Sequence, residues 1–371
     1  MRPFLEGEFG NASSVHQLGS RARVAIEAAR ETVARAIGAE TREIVFTSGG
    51  TEADNAAIKG ATLKQYAELK DWSKIKIVTS RAEHLAVLEP VEWLAKFGAQ
   101  VTYVPVGSFG HALFEGDSIA SDTTLVSLMM VNNETGAINR IAEISNIVKQ
   151  RSKALVHTDA VQALGKILID VKELGVDLLS LSAHKIHGPK GIGALYIKSG
   201  TPWEPLLHGG SQERNRRGGT EAVALAVGFS EAIKRLPLLF KEGNHPPAPS
   251  YSQAHRRGSL REYLLSKLAQ IPKIVLNSAT DESSVDSIVN FTFTPDVLAR
   301  LDADSLIIRF DLEGIAVSNG SACTSGSQQP SHVLLAMGKS KEVASKSVRV
   351  SFSRYNTIED IDRLVEVIGK I

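Results

Sequence analysis

Two residues of this sequence have side chains suited to covalent chemistry, and both lie in segments rich in turn-forming residues. Lys185 follows the apolar run 176–181 and is flanked by His184 and His187. A lysine at the end of a buried strand can lose its proton in a pocket and form a Schiff base with a carbonyl compound. The alternative is a solvated surface lysine, which is the usual state of this residue type.

The second candidate is Cys323, the one cysteine of the chain. A lone cysteine is often a small buried hydrophobe. The segment around it, 318–330, holds two glycines, four serines and a threonine, which do not build an apolar niche. We therefore expect an accessible thiol whose reactivity depends on its thiolate fraction. No second cysteine and no spaced histidine cluster accompany it, so no metal site is predicted.

Polar residues stand where several apolar runs end. The strand predicted at 43–47 leads into Gly49, Gly50 and Thr51 and then a helical pattern. A strand, a glycine-rich turn and a helix start together favour a bound phosphate, although an ordinary capped turn has the same residues. His84 follows the strand predicted at 76–80, where a helix cap or a core position would also explain it.

Three more polar groups continue this pattern. Asn133 follows the apolar run 124–131, and Asp159 ends the strand predicted at 154–159, with Gln162 just beyond it. In open α/β sheets ligands bind at the carboxyl ends of the strands. The common position of these groups, together with Lys185, predicts that they surround one crevice.

A second glycine-rich segment, 207–221, is basic and opens a helix that is predicted to reach about Arg235. It contains Thr220 near its end. The segment is either a second anion site or a flexible surface loop, and its residues alone do not decide between the two.

The elements that position these groups alternate between strands and helices over the first two thirds of the chain, which indicates an α/β fold. We predict a large domain, residues 1–240, with a mainly parallel, doubly wound sheet. The proline-rich stretch 236–250 marks the boundary. Residues 241–371 are predicted to form a smaller α+β domain that carries the cysteine loop.

The bulk composition excludes several classes of protein. The 371 residues carry a formal net charge of +1, from 42 basic and 41 acidic residues, so no nucleic-acid partner is indicated. No apolar run is long enough to span a membrane, and no secretory signal is visible. A single cysteine cannot form an intrachain disulfide. A cytoplasmic enzyme is the expectation.

Six motifs, in this order, resemble those of cysteine desulfurases, which belong to the class V aminotransferases and use pyridoxal 5'-phosphate (PLP). The six are Thr-Ser-Gly-Gly-Thr-Glu-Ala-Asp-Asn at 47–55, Ala-Glu-His at 82–84, Val-Asn-Asn-Glu-Thr-Gly at 131–136, His-Thr-Asp-Ala-Val-Gln at 157–162, Ser-Ala-His-Lys-Ile-His-Gly-Pro-Lys-Gly at 182–191 and Gly-Ser-Ala-Cys-Thr-Ser-Gly-Ser at 320–327. The last resembles the long cysteine loop of the desulfurases that serve iron–sulfur cluster assembly.

The resemblance implies a role for each residue that matches a motif. Lys185 would bind PLP covalently and move a proton, Asp159 would pair with the ring nitrogen, and His84 would stack on the ring and act in acid–base steps. Gln162 would hydrogen-bond the ring's phenolic oxygen, and Asn133 would lie near that oxygen and bind the substrate. The phosphate would be held by Gly50, Thr51, Ser182 and His184, and by Thr220 of the other subunit of a homodimer.

The implied substrate is L-cysteine, with Arg349 binding its carboxylate as a fork. Sulfur would pass to Cys323 as a persulfide and alanine would be released. A sulfur-acceptor or iron–sulfur scaffold protein would then take the sulfur.

Two alternatives stay open. One is another class V activity, such as a selenocysteine lyase or an aminotransferase. The other is a catalytically impaired, truncated form that acts as an interaction protein, because the family's usual N-terminal strand with an Asn-Ala-Thr-Thr-like turn has no counterpart here. Ser211, Asn215, Gly218 and Asn319 also depart from the family's usual residues, and the proline-rich stretch 243–250 is unusual for it.

Overall fold

The larger of the two sheets that the described residues form positions the polar groups predicted at strand ends. A computed structural model describes residues 1–236, 259–319 and 329–371. This sheet has seven strands, in the spatial order β1-β7-β6-β5-β4-β2-β3. The strands are β1 (Ile44–Thr47), β2 (Lys76–Ser80), β3 (Gln100–Val104), β4 (Leu125–Ser127), β5 (Leu155–Asp159), β6 (Leu178–Ser182) and β7 (Gly193–Ile197).

The prediction of a mainly parallel sheet is confirmed, with one strand reversed. The pairs β2–β3, β2–β4, β4–β5 and β5–β6 are parallel, whereas β7 is antiparallel to both β1 and β6. A parallel crossover needs a connection of a dozen or more residues, usually a helix. The connection 183–192 is shorter and contains only a single 3-10 turn, so the chain returns beside β6 in the opposite direction.

Helices cover both faces of this sheet, as a doubly wound fold requires. Alternate residues of β6 belong to different cores: Leu178 packs with the cluster beneath α3 and α4, and Leu179 and Leu181 pack with the cluster beneath α2 and α8. The helices up to residue 236 are α1 (Arg2–Glu6), α2 (Gln17–Ala36), α3 (Gly50–Leu69), α4 (Leu85–Ala95), α5 (Ile141–Arg151), α6 (Val171–Leu174), α7 (Gln212–Asn215) and α8 (Val223–Lys234).

A second, antiparallel sheet of three strands, in the order β10-β9-β8, has its own apolar core. Its strands are β8 (Ile274–Leu276), β9 (Ile288–Phe293) and β10 (Val348–Ser351). The helices of this part are α9 (Leu260–Leu268), α10 (Pro295–Leu298), α11 (Ala303–Leu312), α12 (His332–Ala336), α13 (Lys341–Ser345) and α14 (Ile358–Lys370).

The structure differs from the sequence-based predictions in several local details. The run predicted as a strand at 124–131 is regular only at Leu125–Ser127, although the Leu128 and Met130 amides still donate to carbonyls of β5. A single bridge joins Ser318 to Arg349, where the apolar run 315–317 is typical of a short strand. The helix α1 lies within the segment 1–17, whose glycines, asparagine and serines are typical of a loop. The proline-rich linker lies, apart from Leu236, outside the described residues.

No helix among the described residues is long and apolar enough to cross a membrane.

Candidate active site

Lys185 lies in a tight turn at the end of β6. The strand ends at Ser182, and the 3-10 turn Ala183–Ile186 follows directly. The Gly188 amide closes this turn by donating to the Ala183 carbonyl at 2.9 Å. A Cβ on Gly188 would lie 2.8 Å from that carbonyl oxygen, so the closure requires glycine. The Lys185 side chain is exposed at the carboxyl end of the strand.

The glycine-rich turn after β1 lies against the ends of β5 and β6. A Cβ on Gly193, the first residue of β7, would come within 2.6 Å of the Gly49 carbonyl carbon. A Cβ on Gly50 would lie 2.8 Å from Val161 and 3.5 Å from the Ser182 Cβ. The missing side chains therefore let this turn approach the lysine turn closely, as a phosphate-binding turn must.

Hydrogen-bond donors meet at this point. The helix α3 begins at Gly50, and the first amides of a helix have no acceptor within it. Thr51 is exposed on this first turn. The hydroxyl of buried Ser182 lies 2.9 Å from Nδ1 of His184, and burial, followed by the charges of Lys185 and Lys190, lowers the pKa of that imidazole. The arrangement can hold an anion.

Asp159 ends β5 next to this cradle and is buried. Its Oδ1 accepts the Val161 amide at 2.9 Å. Burial raises the pKa of Asp159 to about 6, while the Val161 amide and the Lys185 charge act in the opposite direction. The carboxylate form therefore prevails at neutral pH, and it suits a positively charged ring nitrogen.

Behind Asp159 lies a buried polar cluster. Burial, and next the nearby Asp159, raise the pKa of Asp54 well above its usual range, which favours the neutral form of this carboxyl. His157 lies on the same face of β5 as Asp159 because side chains alternate along a strand. Its ring nitrogens lie 2.8 Å from Ser127 Oγ and 3.0 Å from Ser180 Oγ, and burial lowers its pKa to about 3.

His84 caps the helix α4, which was one of the alternatives for it. Its Nδ1 accepts the Ala86 amide at 3.1 Å. Burial, and then the charges of Lys185 and His332, lower the pKa of His84 to about 4. The neutral ring has one protonated nitrogen, so with Nδ1 accepting, the proton lies on Nε2. The side chain thus serves both as a cap and as a donor beside Lys185.

Asn133 and Arg349 join the two parts of the molecule. Arg349, on β10, donates from Nη1 to the Asn133 carbonyl at 3.1 Å. None of the described residues forms a hydrogen bond with the buried Asn133 Oδ1. Buried polar atoms are rarely left in this state, so a group that the described residues do not provide fits beside it.

Gln162 lies on the turn after β5, half-buried. Its Oε1 accepts a hydrogen bond from Nζ of Lys166. Lys166 was not singled out from the sequence, although the spacing of four residues in a turn is a signal that could have found it.

Thr220 is exposed at the end of the basic segment 207–221. The segment is tied to the phosphate cradle, since Arg217 donates to both carboxylate oxygens of Glu52 at 2.9 and 3.2 Å, and Glu52 is next to Thr51. It is also tied to the core, because Glu213 forms a buried ion pair with Arg30. These ties show an ordered loop and not a freely flexible one.

Cys323 lies outside the described residues, as does most of its loop. The residues on either side of this loop contact residues of the crevice. The Arg349 amide donates to the Ser318 carbonyl at 2.6 Å. Beyond the loop, Ser331 Oγ donates to Glu134, and a ring nitrogen of His332 lies 2.8 Å from the Glu83 carbonyl.

Within the described ranges, no group of three or more His, Cys, Asp or Glu residues is arranged to hold a metal ion.

Comparisons with known proteins agree on one family. The model of the class-V aminotransferase family matches residues 1–364. "Cysteine desulfurase IscS" of Dictyoglomus turgidum is 43% identical over 373 residues, which cover 100% of this chain and 89% of the relative. A solved "NIFS-like protein" superimposes with a TM-score of 0.84 at 34% identity, over 100% of this chain and 93% of the other.

A further solved structure, described as "SspA in complex with cysteine", has a TM-score of 0.78 and 33% identity and covers 96% of this chain and 94% of its own. The six motifs, the fold and these likenesses agree, and the chain belongs to the class-V aminotransferase family and, within it, to the cysteine desulfurases.

Proposed function

We propose that this chain is a PLP-dependent enzyme that removes the sulfur of L-cysteine, releases L-alanine and holds the sulfur on Cys323 as a persulfide. One observation carries the proposal: Lys185, Asp159 and His84 come from three different strand ends, and the charge of Lys185 acts on both Asp159 and His84. Cysteine desulfurases use PLP, and the relative from Dictyoglomus turgidum bears that name.

The described residues fit PLP at its phosphate end. A dianionic phosphate needs several donors without a bulky side chain in the way. The first turn of α3, opened by Gly50 and Thr51, supplies free amides, and Ser182 and His184 supply side chains beside it. We also assign Thr220 here, from the other subunit of a homodimer, which agrees with its exposure on a loop anchored next to Thr51.

The ring end fits as well. The Asp159 carboxylate would hold a proton on the ring nitrogen. The Asn133 Oδ1, which has no hydrogen-bond partner among the described residues, is available to a polar group of the cofactor or of the substrate. Gln162 would lie at the phenolic oxygen. Lys185 would hold PLP until the amino group of the substrate takes its place, and the group would then withdraw electrons from that amino acid, which allows its Cβ–Sγ bond to break.

His84 holds its proton on Nε2 and presents it as a donor toward the crevice, since Nδ1 is engaged by Ala86. Its low pKa keeps the ring neutral, so it can stack on an aromatic ring without carrying a charge. Lys185, released from the cofactor, is the base that moves protons at the substrate.

Arg349 binds the substrate carboxylate. A guanidinium offers paired donors in a plane, which matches the two oxygens of a carboxylate. The Asn133 carbonyl holds one Nη1 hydrogen and thereby orients the group. Binding at this position places the amino group of the substrate toward Lys185.

The sulfur step uses Cys323. Its thiolate bonds to the substrate Sγ as the Cβ–Sγ bond breaks, and the electron pair of the broken bond stays on the carbon side. The carbon gains a proton, alanine leaves, and the persulfide remains on Cys323. A sulfur-acceptor or iron–sulfur scaffold protein then receives the sulfur.

We place the enzyme in the cytoplasm and divide it into a PLP domain, 1–240, and a smaller domain, 241–371.

An absorption spectrum tests this function. Purified protein with PLP should show a visible band that Lys185→Ala abolishes, and L-cysteine should change the band while alanine accumulates. A selenocysteine lyase would release alanine only from selenocysteine, and an aminotransferase would yield a keto acid. Protein that stays colourless with PLP would support the interaction-protein alternative and would contradict the proposal.

A further inference from the structure

A second lysine lies in the crevice, and the mechanism above gives it no role. Lys166 donates from Nζ to Oε1 of Gln162. The side chain is half-buried. Burial, followed by the charges of Lys185 and Arg349, lowers the pKa of Lys166 to about 7. Lys166 therefore lies in the same positively charged environment as Lys185, which we assign to PLP, and Arg349, which we assign to the substrate.

The backbone between the two partners is built to bring them together. The Lys166 amide donates to the Ala163 carbonyl at 2.9 Å, which closes the turn. Gly165 has a φ of +78°, a conformation that other residues rarely adopt, and a Cβ there would lie 3.3 Å from Cγ2 of Ile186. The turn that carries Gln162 and Lys166 thus packs directly against the turn that carries Lys185.

A lysine ammonium has three donors and no acceptor. Facing an amide side chain, it selects the oxygen and turns the NH2 group away. The hydrogen bond to Lys166 therefore decides which end of the Gln162 amide is left for another partner.

We propose that Lys166 is a positioning residue that fixes the Gln162 amide so that its NH2 group, and not its oxygen, faces the phenolic oxygen of PLP. This inference rests on the proposed function. A donor at the phenolic oxygen stabilises its anionic form and lowers the pH at which the visible band of the loaded protein changes. The oxygen of a reversed amide would repel that anion.

The test is a pH titration of the visible band, with PLP affinity measured alongside it. Lys166→Met should raise the midpoint by about one pH unit and weaken PLP binding about tenfold, since a hydrogen bond to a charged group is worth roughly that much. Lys166→Arg keeps a donor and should stay close to wild type. A Lys166→Met midpoint equal to that of wild type would overturn the inference.

Loss of the positive charge alone would also raise the midpoint, because the charge of Lys166 lies near those of Lys185 and Arg349. Asp159 also interacts with the Lys185 charge. A double variant separates the two causes. If Lys166 acts through Gln162, then Lys166→Met adds nothing to the shift of Gln162→Leu. Shifts that add fully would contradict this. Wild-type protein without any visible band would instead refute the proposed function itself.

Discussion

The buried pair Arg30–Glu213 is predicted to be the chief anchor of the basic loop 207–221. Nη1 and Nη2 of Arg30 donate to the two carboxylate oxygens of Glu213 at 2.5 and 3.0 Å, and the Phe46 amide donates to the same carboxylate at 3.0 Å. Both side chains are at least 96% buried. The contacts fix the loop onto β1, close to the glycine turn that we assign to phosphate.

Glu213→Gln leaves the shape unchanged and removes the charge, so the Arg30 guanidinium stays buried without its counter-ion. Breaking one side of a buried pair costs about 3–5 kcal/mol. At roughly 2–4 °C per kcal/mol, the unfolding temperature should fall by about 6–20 °C. Three consecutive residues, Glu213, Arg214 and Asn215, have left-handed backbone conformations, each of which costs roughly 1–2 kcal/mol. Relaxation of the loop in the variant would release this strain, so the fall in unfolding temperature should lie near the lower end of that range.

Thermal unfolding and limited trypsin digestion measure the effect. Glu27→Gln is the matched control, because Glu27 contacts Arg30 at 3.1 Å and Arg214 at 2.9 Å but is 39% exposed. Exposed pairs contribute about 0–1 kcal/mol. Glu213→Gln should melt well below the control and be cut earlier at Arg214. Equal unfolding temperatures and equal cleavage for the two variants would refute the reasoning.

Three further predictions concern the crevice. Stability should fall as the pH drops from 6.5 toward 3, by at most about 5 kcal/mol, because the unfolded chain protonates His157 while burial holds its folded pKa at about 3. Denaturant titrations should show a shallower decline for His157→Gln, and an unchanged slope would contradict this assignment. Asp54→Asn should change stability at pH 7 by less than about 1 kcal/mol, since burial favours the neutral form of the wild-type carboxyl; thermal unfolding measures this, and a large loss would show a charged Asp54. Arg349→Lys should raise KM for L-cysteine about tenfold or more by losing the guanidinium fork, with steady-state kinetics as the assay and an unchanged KM as the contrary result.

Much of the site could be predicted from the sequence because its groups follow strand ends. The strand predicted at 154–159 does end at Asp159, and the turn predicted after residue 181 does hold Lys185. Apolar runs set these strands, and the parallel arrangement brings their ends to one edge. His84 is instructive, since the structure shows it to be a helix cap as well as a member of the crevice.

The parts that escaped prediction depend on contacts distant in sequence. Arg30 and Glu213 are 183 residues apart, and Arg349 and Asn133 are 216 apart. No local pattern pairs such residues. The reversed direction of β7 follows from the short connection before it, which is a local feature of the sequence. The choice of β1 and β6 as its neighbours depends instead on the whole sheet.

In the proposed reaction, sulfur leaves L-cysteine and comes to rest on Cys323. Mass spectrometry of the PLP-loaded protein after a single turnover with L-cysteine tests this transfer. The peptide containing Cys323 should gain the mass of one sulfur atom, with one alanine released per modified thiol, and Cys323→Ser should show neither. Alanine released at the wild-type rate by Cys323→Ser, or sulfur found on no peptide, would contradict the transfer.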